Sequence, residues 1–370
     1  MSRFELTIDP DYVPHWTIQD GLREFLQNAL DESTLEPSNS MEVRREGNTL
    51  FISTKNAKLT KKTLLIGSSS KRSEENTIGQ EGEGYKLACL VLARAGKKVI
   101  IHNYSEKEKW TPKIIKSRRF GTKLLVIDTE KFRWTSPPNH DLTFEIKGIT
   151  DVIYKEMVSR SLFLRESELS TLEYHDTKGI ILLDEEEKGR VYVNGLYVST
   201  VKEMEYGYNF KPREIELDRD RRAVTDFNLT WQTSDLWCNF TEEEAFKNML
   251  KRGAKDVQYI NSHYYNKDEI YKDFEEDHGD MAYPVSDQHN YDLVKSMYKG
   301  VTPIIVDQVH CESIKNSTNF TNKRNSFELK KKDETPTELL TKFKSNHFHS
   351  LTNKMEEDLS ALIKLSKDWR

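Results

Sequence analysis

The N-terminal part of the chain combines an amphipathic helix pattern with alternating runs that are typical of strands. The sequence Thr17-Ile18-Gln19-Asp20 has the form of a capping box and predicts a helix from there to about Glu32. Two runs of alternating apolar and polar residues, 41–45 and 49–54, flank Gly47-Asn48 and predict a β-hairpin. The first fifty residues therefore mix both types of secondary structure.

A second group of patterns follows a polar loop rich in Ser and Gly, at about 67–84. The most apolar helix pattern of the chain begins at Tyr85 and ends at Ala95, where Gly96 stops it. Strand patterns follow at 99–104, 123–128 and 144–146. Because the strands come in hairpins with helices between them, the pattern favours an α+β two-layer fold over a doubly wound parallel sheet.

Changes in the pattern predict three regions. The first is 1–150, the second is a small mixed α/β domain at 151–235, and the third is a polar, mainly helical region at 236–370. The second region opens with a helix near 151–164 and contains a hairpin around Asn194-Gly195, a strong two-residue turn signal.

Two segments of the third region have distinct compositions. Residues 312–335 contain many Lys, Asn, Ser and Thr and are expected to form a linker or a mobile segment. Residues 336–369 carry apolar side chains at helical spacing. This spacing is compatible with core packing, with a helix hairpin or with a helix that binds a partner.

Composition and charge narrow the class of protein. The 370 residues include 56 Lys and Arg against 61 Asp and Glu, a near balance that argues against a strongly basic nucleic-acid binder without excluding a local patch. The longest apolar stretch, 87–95, is about half of the ~20 residues that a membrane span needs, and the first residues lack a secretory apolar core. Cys89, Cys238 and Cys311 form no CxxC pair. We therefore expect a soluble, cytoplasmic protein without a membrane partner.

The first helix carries a polar face opposite its apolar face. At about 100° per residue, Glu24, Asn28 and Asp31 lie within about 60° of one another. A solvated helix face explains such a trio. A magnesium and water site also explains it, because an amide oxygen is a hard ligand and a carboxylate one turn away can accept a proton from water.

The segment Ile78-Gly79-Gln80-Glu81-Gly82-Glu83-Gly84 is a GxxGxG loop that runs directly into a helix. Glycines let a backbone approach an anion, and the N–H groups at a helix start are donors for phosphate. Lys86, in the first turn, opposes the helix dipole, which suggests that an anion compensates it. A flexible turn is the alternative, and the loop is neither a Walker loop nor a Rossmann fingerprint.

Together these motifs resemble the GHKL ATPases, which include gyrase B, heat-shock-90 chaperones, MutL and histidine kinases. The helix 22–31 is similar to the ExxxN box of that superfamily, and 78–84 is similar to its second glycine box. Phe120-Gly121-Thr122-Lys123-Leu124 resembles the Gly-Thr strand that closes the adenine pocket. The resemblance covers about 10–150 and implies a Bergerat-type two-layer α/β sandwich.

The resemblance implies a role for each matching residue. Glu24 would polarise the attacking water, and Asn28 would hold Mg²⁺ on the phosphates of ATP, with Asp31 on the same face. The phosphates would lie against the glycine-rich loop and the helix that follows it, and the base near the Gly-Thr strand. The residues implied as nucleotide-binding are Asn28, Asp31, Gly79, Gly82, Gly84, Lys86 and Thr122.

One expected box of the superfamily differs in this chain. The family's Asp-x-Gly-x-Gly corresponds to the segment 54–58, where Thr54 stands in place of the Asp that accepts from the adenine amino group. Thr54 or, with a shifted register, Asn56 offers an uncharged oxygen in its place. Residues 67–72 are expected to begin a mobile lid or to be a plain polar loop. Residues 218–222, Asp-Arg-Asp-Arg-Arg, are either a phosphate sensor or an exposed turn.

These expectations favour an ATP-binding protein, a Mg²⁺-dependent ATPase whose lid closure controls an interaction through the C-terminal region, with a protein partner or a second copy. The alternative is a nucleotide-binding interaction or regulatory protein that hydrolyses little. A histidine kinase is disfavoured, because neither His140 nor His278 has the context of a phosphoacceptor. A topoisomerase finds no support, because no cleavage domain fits the remaining residues.

Overall fold

The computed structural model describes residues 2–36, 38–65, 83–131, 142–165, 173–217, 225–330 and 335–368. Contacts between Cα atoms divide the chain into two units, Met1–Tyr265 and Asn266–Arg370. This division does not test the region boundaries that the sequence suggests at 150 and 235, which stay predictions. Among the described residues, no helix combines the length and the apolar character that a bilayer crossing needs.

The first unit is built on a seven-stranded antiparallel sheet in the described part of the chain. Its strands are β1 (Ser2–Glu5), β2 (Met41–Glu46), β3 (Thr49–Thr54), β4 (Lys98–Asn103), β5 (Glu108–Lys116), β6 (Lys123–Lys131) and β7 (Leu142–Lys147). Their order across the sheet is β1-β6-β5-β4-β7-β3-β2. The predicted hairpin joins β2 to β3, with Met41 opposite Thr54 and Gly47 at a positive φ of 55° in the turn.

Helices cover one face of this sheet. They are α1 (Ile18–Leu35), α2 (Gly84–Arg94) and α3 (Asp151–Ser159). The Asp20 carboxylate accepts from the Thr17 N–H at 2.6 Å, so α1 begins where the capping pattern predicts. The apolar stripe of α1 is buried on the sheet, where Phe25 stacks on Phe144 of β7 at 4.4 Å between ring centroids. These layers confirm the predicted α+β sandwich.

A second, five-stranded sheet follows in the first unit. It consists of β8 (Glu173–His175), β9 (Gly179–Leu182), β10 (Arg190–Val193), β11 (Leu196–Thr200) and β12 (Gly207–Phe210), in the order β11-β10-β12-β9-β8. β10 and β12 are parallel, and the other neighbours are antiparallel. Asn194 and Gly195 form the turn between β10 and β11 at positive φ, as their sequence predicts. The helices α4 (Asp226–Trp237) and α5 (Glu244–Arg252) complete this part of the unit.

The second unit is mainly helical. Its elements are α6 (Asp268–His278), β13 (Ala282–Val285), α7 (Gln288–Met297), β14 (Thr302–Ile305), α8 (Gln308–Lys315), α9 (Thr318–Ser326), α10 (Pro336–His347) and α11 (Asn353–Leu365). β13 and β14 pair in parallel. The helix hairpin that the spacing of 336–369 allows is present as α10 and α11, and the Thr337 and Ser366 hydroxyls are 2.7 Å apart across it.

The expectation of a linker at 312–335 is wrong for the described residues, because α8 and α9 occupy most of this segment. The Ser317 hydroxyl caps α9 by accepting from the Phe320 N–H at 3.2 Å. The side chain of Phe320 is completely buried. Phe320, together with the buried Ile314 and Phe327 and the cap of α9, therefore orders a segment whose composition is polar. Residues 331–334 lie outside the described ranges.

Candidate functional site

The polar face of α1 is covered in the structure. Glu24 is 1% exposed and Asp31 is completely buried, whereas Asn28 is partly exposed. The interpretation of a solvated face is therefore wrong for both carboxylates. For Glu24 the reason is the neighbouring helix: α2 packs along α1, with Ala88 and Leu92 against Gly21, and its first residue reaches Glu24.

Gly84 brings the start of α2 into contact with the Glu24 carboxylate. A Cβ atom built at Gly84 would overlap with Glu24 Oε2 and would lie 3.7 Å from Asn28 Nδ2. A side chain at this position would therefore require the Glu24 carboxylate to move. A buried carboxylate, an amide and the first turn of a helix thus meet at one point, where helix N–H groups lack acceptors within the helix itself.

Two further contacts orient these side chains. The Asn28 amide nitrogen donates to the Glu24 main-chain carbonyl at 2.6 Å, which directs the amide hydrogens back to the helix. Arg23 Nη2 lies 3.4 Å from Glu24 Oε1. The guanidinium supplies positive charge beside the carboxylate, and the amide of Asn28 carries the oxygen atom that can hold a hard cation.

Lys86 is completely buried, and its ammonium group donates to the main-chain carbonyl of Leu65. Burial lowers the pKa of this ammonium group, and the nearby Glu83 raises it by a smaller amount. The electrostatic conflict at the helix start is thus relieved in part by a carbonyl from the preceding segment. Lys86 ties that segment to α2.

The two candidate oxygen acceptors near the expected adenine position differ in placement. Thr54 ends β3, is 2% exposed, and lies on the face of the strand that also carries Leu50 and Ile52. That face is the one covered by the helices. Asn56 is exposed at a positive φ of 58°, and its amide nitrogen lies 3.4 Å from the Ser38 carbonyl. Only Thr54 therefore faces the helix layer.

The strand order does not bring Thr122 beside Thr54, so the assignment of both residues to one adenine pocket stays a prediction that the sheet does not favour. Thr122 is exposed and immediately precedes β6, and β5, β4 and β7 separate β6 from β3. The strand next to β3 is β7, whose Leu142 is opposite Thr54. The short Gly-Thr pattern gave no information about which strand pairs with β3.

Several predicted residues cannot be compared with the structure. Gly79, Gly82, most of the lid segment 67–84 and the sensor candidate 218–222 lie outside the described residues. Gly84 is the described end of the glycine-rich loop.

Sequence reasoning missed a cleft of about 280 Å³ beside the first half of α1. It lies between α1, the end of α3 and the strand β11, and its polar lining includes Asp20, Arg23, Arg160 and Ser161. The residues come from three separate segments, so no local motif marks the cleft.

The comparisons with known proteins are weak and partial. Residues 155–243, which include β8–β12 and α4, match the family model of the Mycoplasma pneumoniae MPN635 N-terminal domain. The ATPase region of Saccharomyces cerevisiae topoisomerase II aligns at 12% identity and a TM-score of 0.36, over 55% of this chain and 75% of that chain. The gyrase B subunit of Myxococcus xanthus aligns at 8% identity and a TM-score of 0.27, over 65% of this chain and 92% of that chain. No curated protein matches the sequence significantly.

Proposed function

We propose that the first unit binds Mg²⁺–ATP between α1 and the start of α2 and hydrolyses it. The observation that supports this proposal is the contact of the buried Glu24 carboxylate with Gly84, beside the Asn28 amide. A phosphate at the first turn of α2 would lie next to a base, a cation ligand and helix N–H donors.

The chemistry of each side chain supports a separate role. Glu24 holds its carboxylate at the helix start and would take a proton from the attacking water, a contribution of about 10²–10⁴ in rate. Asn28 would hold Mg²⁺ through its amide oxygen, since its amide nitrogen donates one hydrogen bond to the Glu24 carbonyl. When bound, Mg²⁺ neutralises charge on the phosphate oxygens. Thr54 would offer the base an uncharged acceptor from the helix side of β3.

A nucleotide-binding regulatory protein with little hydrolysis is the second candidate. Two observations favour it: Lys86 donates to the Leu65 carbonyl, and an uncharged Thr54 occupies the expected position of the adenine acceptor. In this case the site would bind the nucleotide without hydrolysing it, and binding alone would change the conformation of other parts of the chain.

The first prediction distinguishes the ATPase from the regulatory protein through single substitutions of Glu24 and Asn28. Because Glu24 is buried, Glu24→Gln is the suitable variant: it keeps the shape and removes the base. We expect Glu24→Gln to lower ATP turnover by about 100-fold or more while ATP binding persists. Asn28→Ala should weaken Mg²⁺-dependent binding itself. Turnover and calorimetric titration are measured for each protein.

Two further variants are compared with Glu24→Gln: Gly84→Ala, which disturbs the same carboxylate, and Glu36→Gln, which is the control. The new methyl group of Gly84→Ala displaces the Glu24 carboxylate, so turnover should fall as in Glu24→Gln. Glu36 is exposed at the end of α1, and Glu36→Gln should change neither quantity. Wild-type turnover no higher than that of Glu24→Gln would contradict the ATPase, and absent ATP binding would contradict both candidates.

We also propose that the second unit mediates association with a second copy of the chain. In the hairpin of α10 and α11, Leu359 is buried, whereas other apolar side chains are about half exposed. These are Leu339, Phe343, Met355 and Leu362. Several large apolar side chains left exposed on two packed helices favour a surface that binds another protein.

A further inference from the structure

Three side chains with different ligand atoms converge at the end of α4. Asp235 lies in the last turn of the helix, Cys238 follows its last residue, and His263 comes from the chain beyond the short turn 260–262. One ligand atom of each lies within 4.8 Å of the other two. The i, i+3 spacing of Asp235 and Cys238 places both on one side of the helix end.

The distance between two of the ligand atoms fits a shared ion. His263 Nδ1 and Asp235 Oδ1 are 3.3 Å apart. A tetrahedral zinc ion with bonds of about 2.0–2.1 Å holds a nitrogen and an oxygen ligand about 3.3 Å apart. The thiol sulfur of Cys238 lies within 4.8 Å of a ligand atom of each of these two residues.

The surroundings of His263 indicate that the protein alone does not satisfy this ring. The imidazole side chain is only 10% exposed, and its buried Nε2 has no hydrogen-bond partner in the described part of the chain. The Trp231 ring covers it at 4.5 Å between centroids. Buried polar atoms nearly always have a partner, so the orphaned Nε2 shows that the described residues do not complete the hydrogen bonding of this ring, whose Nδ1 faces Asp235.

The neighbours of the other two side chains are compatible with an ion. Lys178 contacts Oδ2 of Asp235, which is the carboxylate oxygen other than the one that faces His263. Such a contact orients a ligating carboxylate. The Cys238 thiol lies 3.3 Å from the Ser234 carbonyl, and its deprotonated form is a strong ligand for zinc.

We propose that Asp235, Cys238 and His263 form a binding site for a zinc ion in the first unit. Mixed oxygen, nitrogen and sulfur ligands select a transition metal over Mg²⁺ or Ca²⁺, which require oxygen ligands. Three protein ligands leave the fourth tetrahedral position to water. The ion would join the end of α4 to the chain near residue 263, and the proposal is independent of the proposed nucleotide function.

Cobalt(II) provides a spectroscopic test in the full chain. The untagged protein is reduced, stripped of metal with a chelator, and titrated with Co²⁺ without oxygen. We expect one Co²⁺ per chain, intense visible bands of a tetrahedral site, and a thiolate-to-cobalt charge-transfer band. Zn²⁺ should displace the cobalt and abolish these bands. A wild-type spectrum without the charge-transfer band would overturn the proposal.

Single substitutions identify the ligands. Cys238→Ser should remove the charge-transfer band, and His263→Asn and Asp235→Asn should each weaken binding by at least about 10–100-fold, the loss typical of supporting residues alone. Cys311→Ser and His175→Asn are matched controls and should bind like the wild type. Unchanged binding and spectrum in Cys238→Ser would overturn the assignment. Circular dichroism verifies folding, and if Cys238→Ser does not fold, the affinities of the other two variants decide.

Discussion

At the scale of single residues, the buried environment of Glu24 is the feature that supports the proposed hydrolysis most directly. Its position on α1 follows from helical periodicity, but its burial follows from the helix that starts at Gly84. A carboxylate held in a site that excludes most water can act on a bound phosphate more strongly than the same group on an open surface. The residue type suggested the chemistry, and the packing of two helices supports it.

Thr54 leads to the second prediction, which concerns the choice of base. An uncharged hydroxyl accepts a hydrogen bond from an amino group more weakly than a carboxylate does. We therefore expect the dissociation constants of ATP and GTP to lie within about tenfold of each other, or 1.4 kcal/mol. Calorimetric titration with both nucleotides measures the ratio. A preference for ATP well beyond tenfold would mean that other groups replace the missing charge.

At the scale of elements, a buried polar network joins α4 to the second sheet of the first unit. The Asp256 carboxylate accepts from the Glu205 N–H at 2.9 Å and from the Tyr208 hydroxyl. The Asp256 carbonyl accepts from the Thr233 hydroxyl of α4 at 2.9 Å. Asp256 is completely buried, and desolvation raises the pKa of its carboxyl group.

The third prediction concerns Asp256→Asn. An amide has one acceptor oxygen where several donors converge, so we expect a loss of about 1–3 kcal/mol in the free energy of unfolding. Because the folded-state pKa of Asp256 is raised, its contribution to stability is full below the unfolded pKa and declines as pH rises through the folded value. The variant should lack this pH-dependent decline.

Urea unfolding at several pH values measures both effects. Asp226→Asn, at the start of α4, removes an exposed partner of Lys255 and should cost at most about 1 kcal/mol. Equal losses for the two variants would contradict the structural role assigned to Asp256.

At the scale of the whole molecule, the chain divides into two units, and the proposed functions divide with it. The first unit contains Glu24, Asn28, Gly84 and Thr54, as well as the three proposed zinc ligands. The second contains the hairpin with exposed apolar side chains. Binding of nucleotide and self-association should therefore be separable.

The fourth prediction tests this separation with the fragment 1–265. We expect the fragment to unfold cooperatively and to bind ATP with the affinity of the full chain, because its core and site are its own. Sedimentation should show the full chain as a concentration-dependent dimer and the fragment as a monomer. A fragment that does not fold would contradict the independence of the first unit, and a monomeric full chain would contradict self-association.

Much of the local structure could be predicted from the sequence, because local interactions decide it. The capping box before Ile18, the turns at Gly47 and Asn194-Gly195, and the carboxylate and amide on one side of α1 all depend on residues close in the chain. The segment with α9 was an exception, because its order depends on the burial of Phe320 among distant residues.

The sequence by itself thus determined the helix after the capping box, the two hairpin turns, the α+β class and the types of side chain available for chemistry. The tertiary structure alone decided that α2 covers Glu24, that β7 rather than β6 lies beside β3, and that Asp235, Cys238 and His263 converge. The physical reason is that strand order and helix packing minimise a free energy summed over many non-local contacts. A short motif includes only the contacts between residues that are close in the chain.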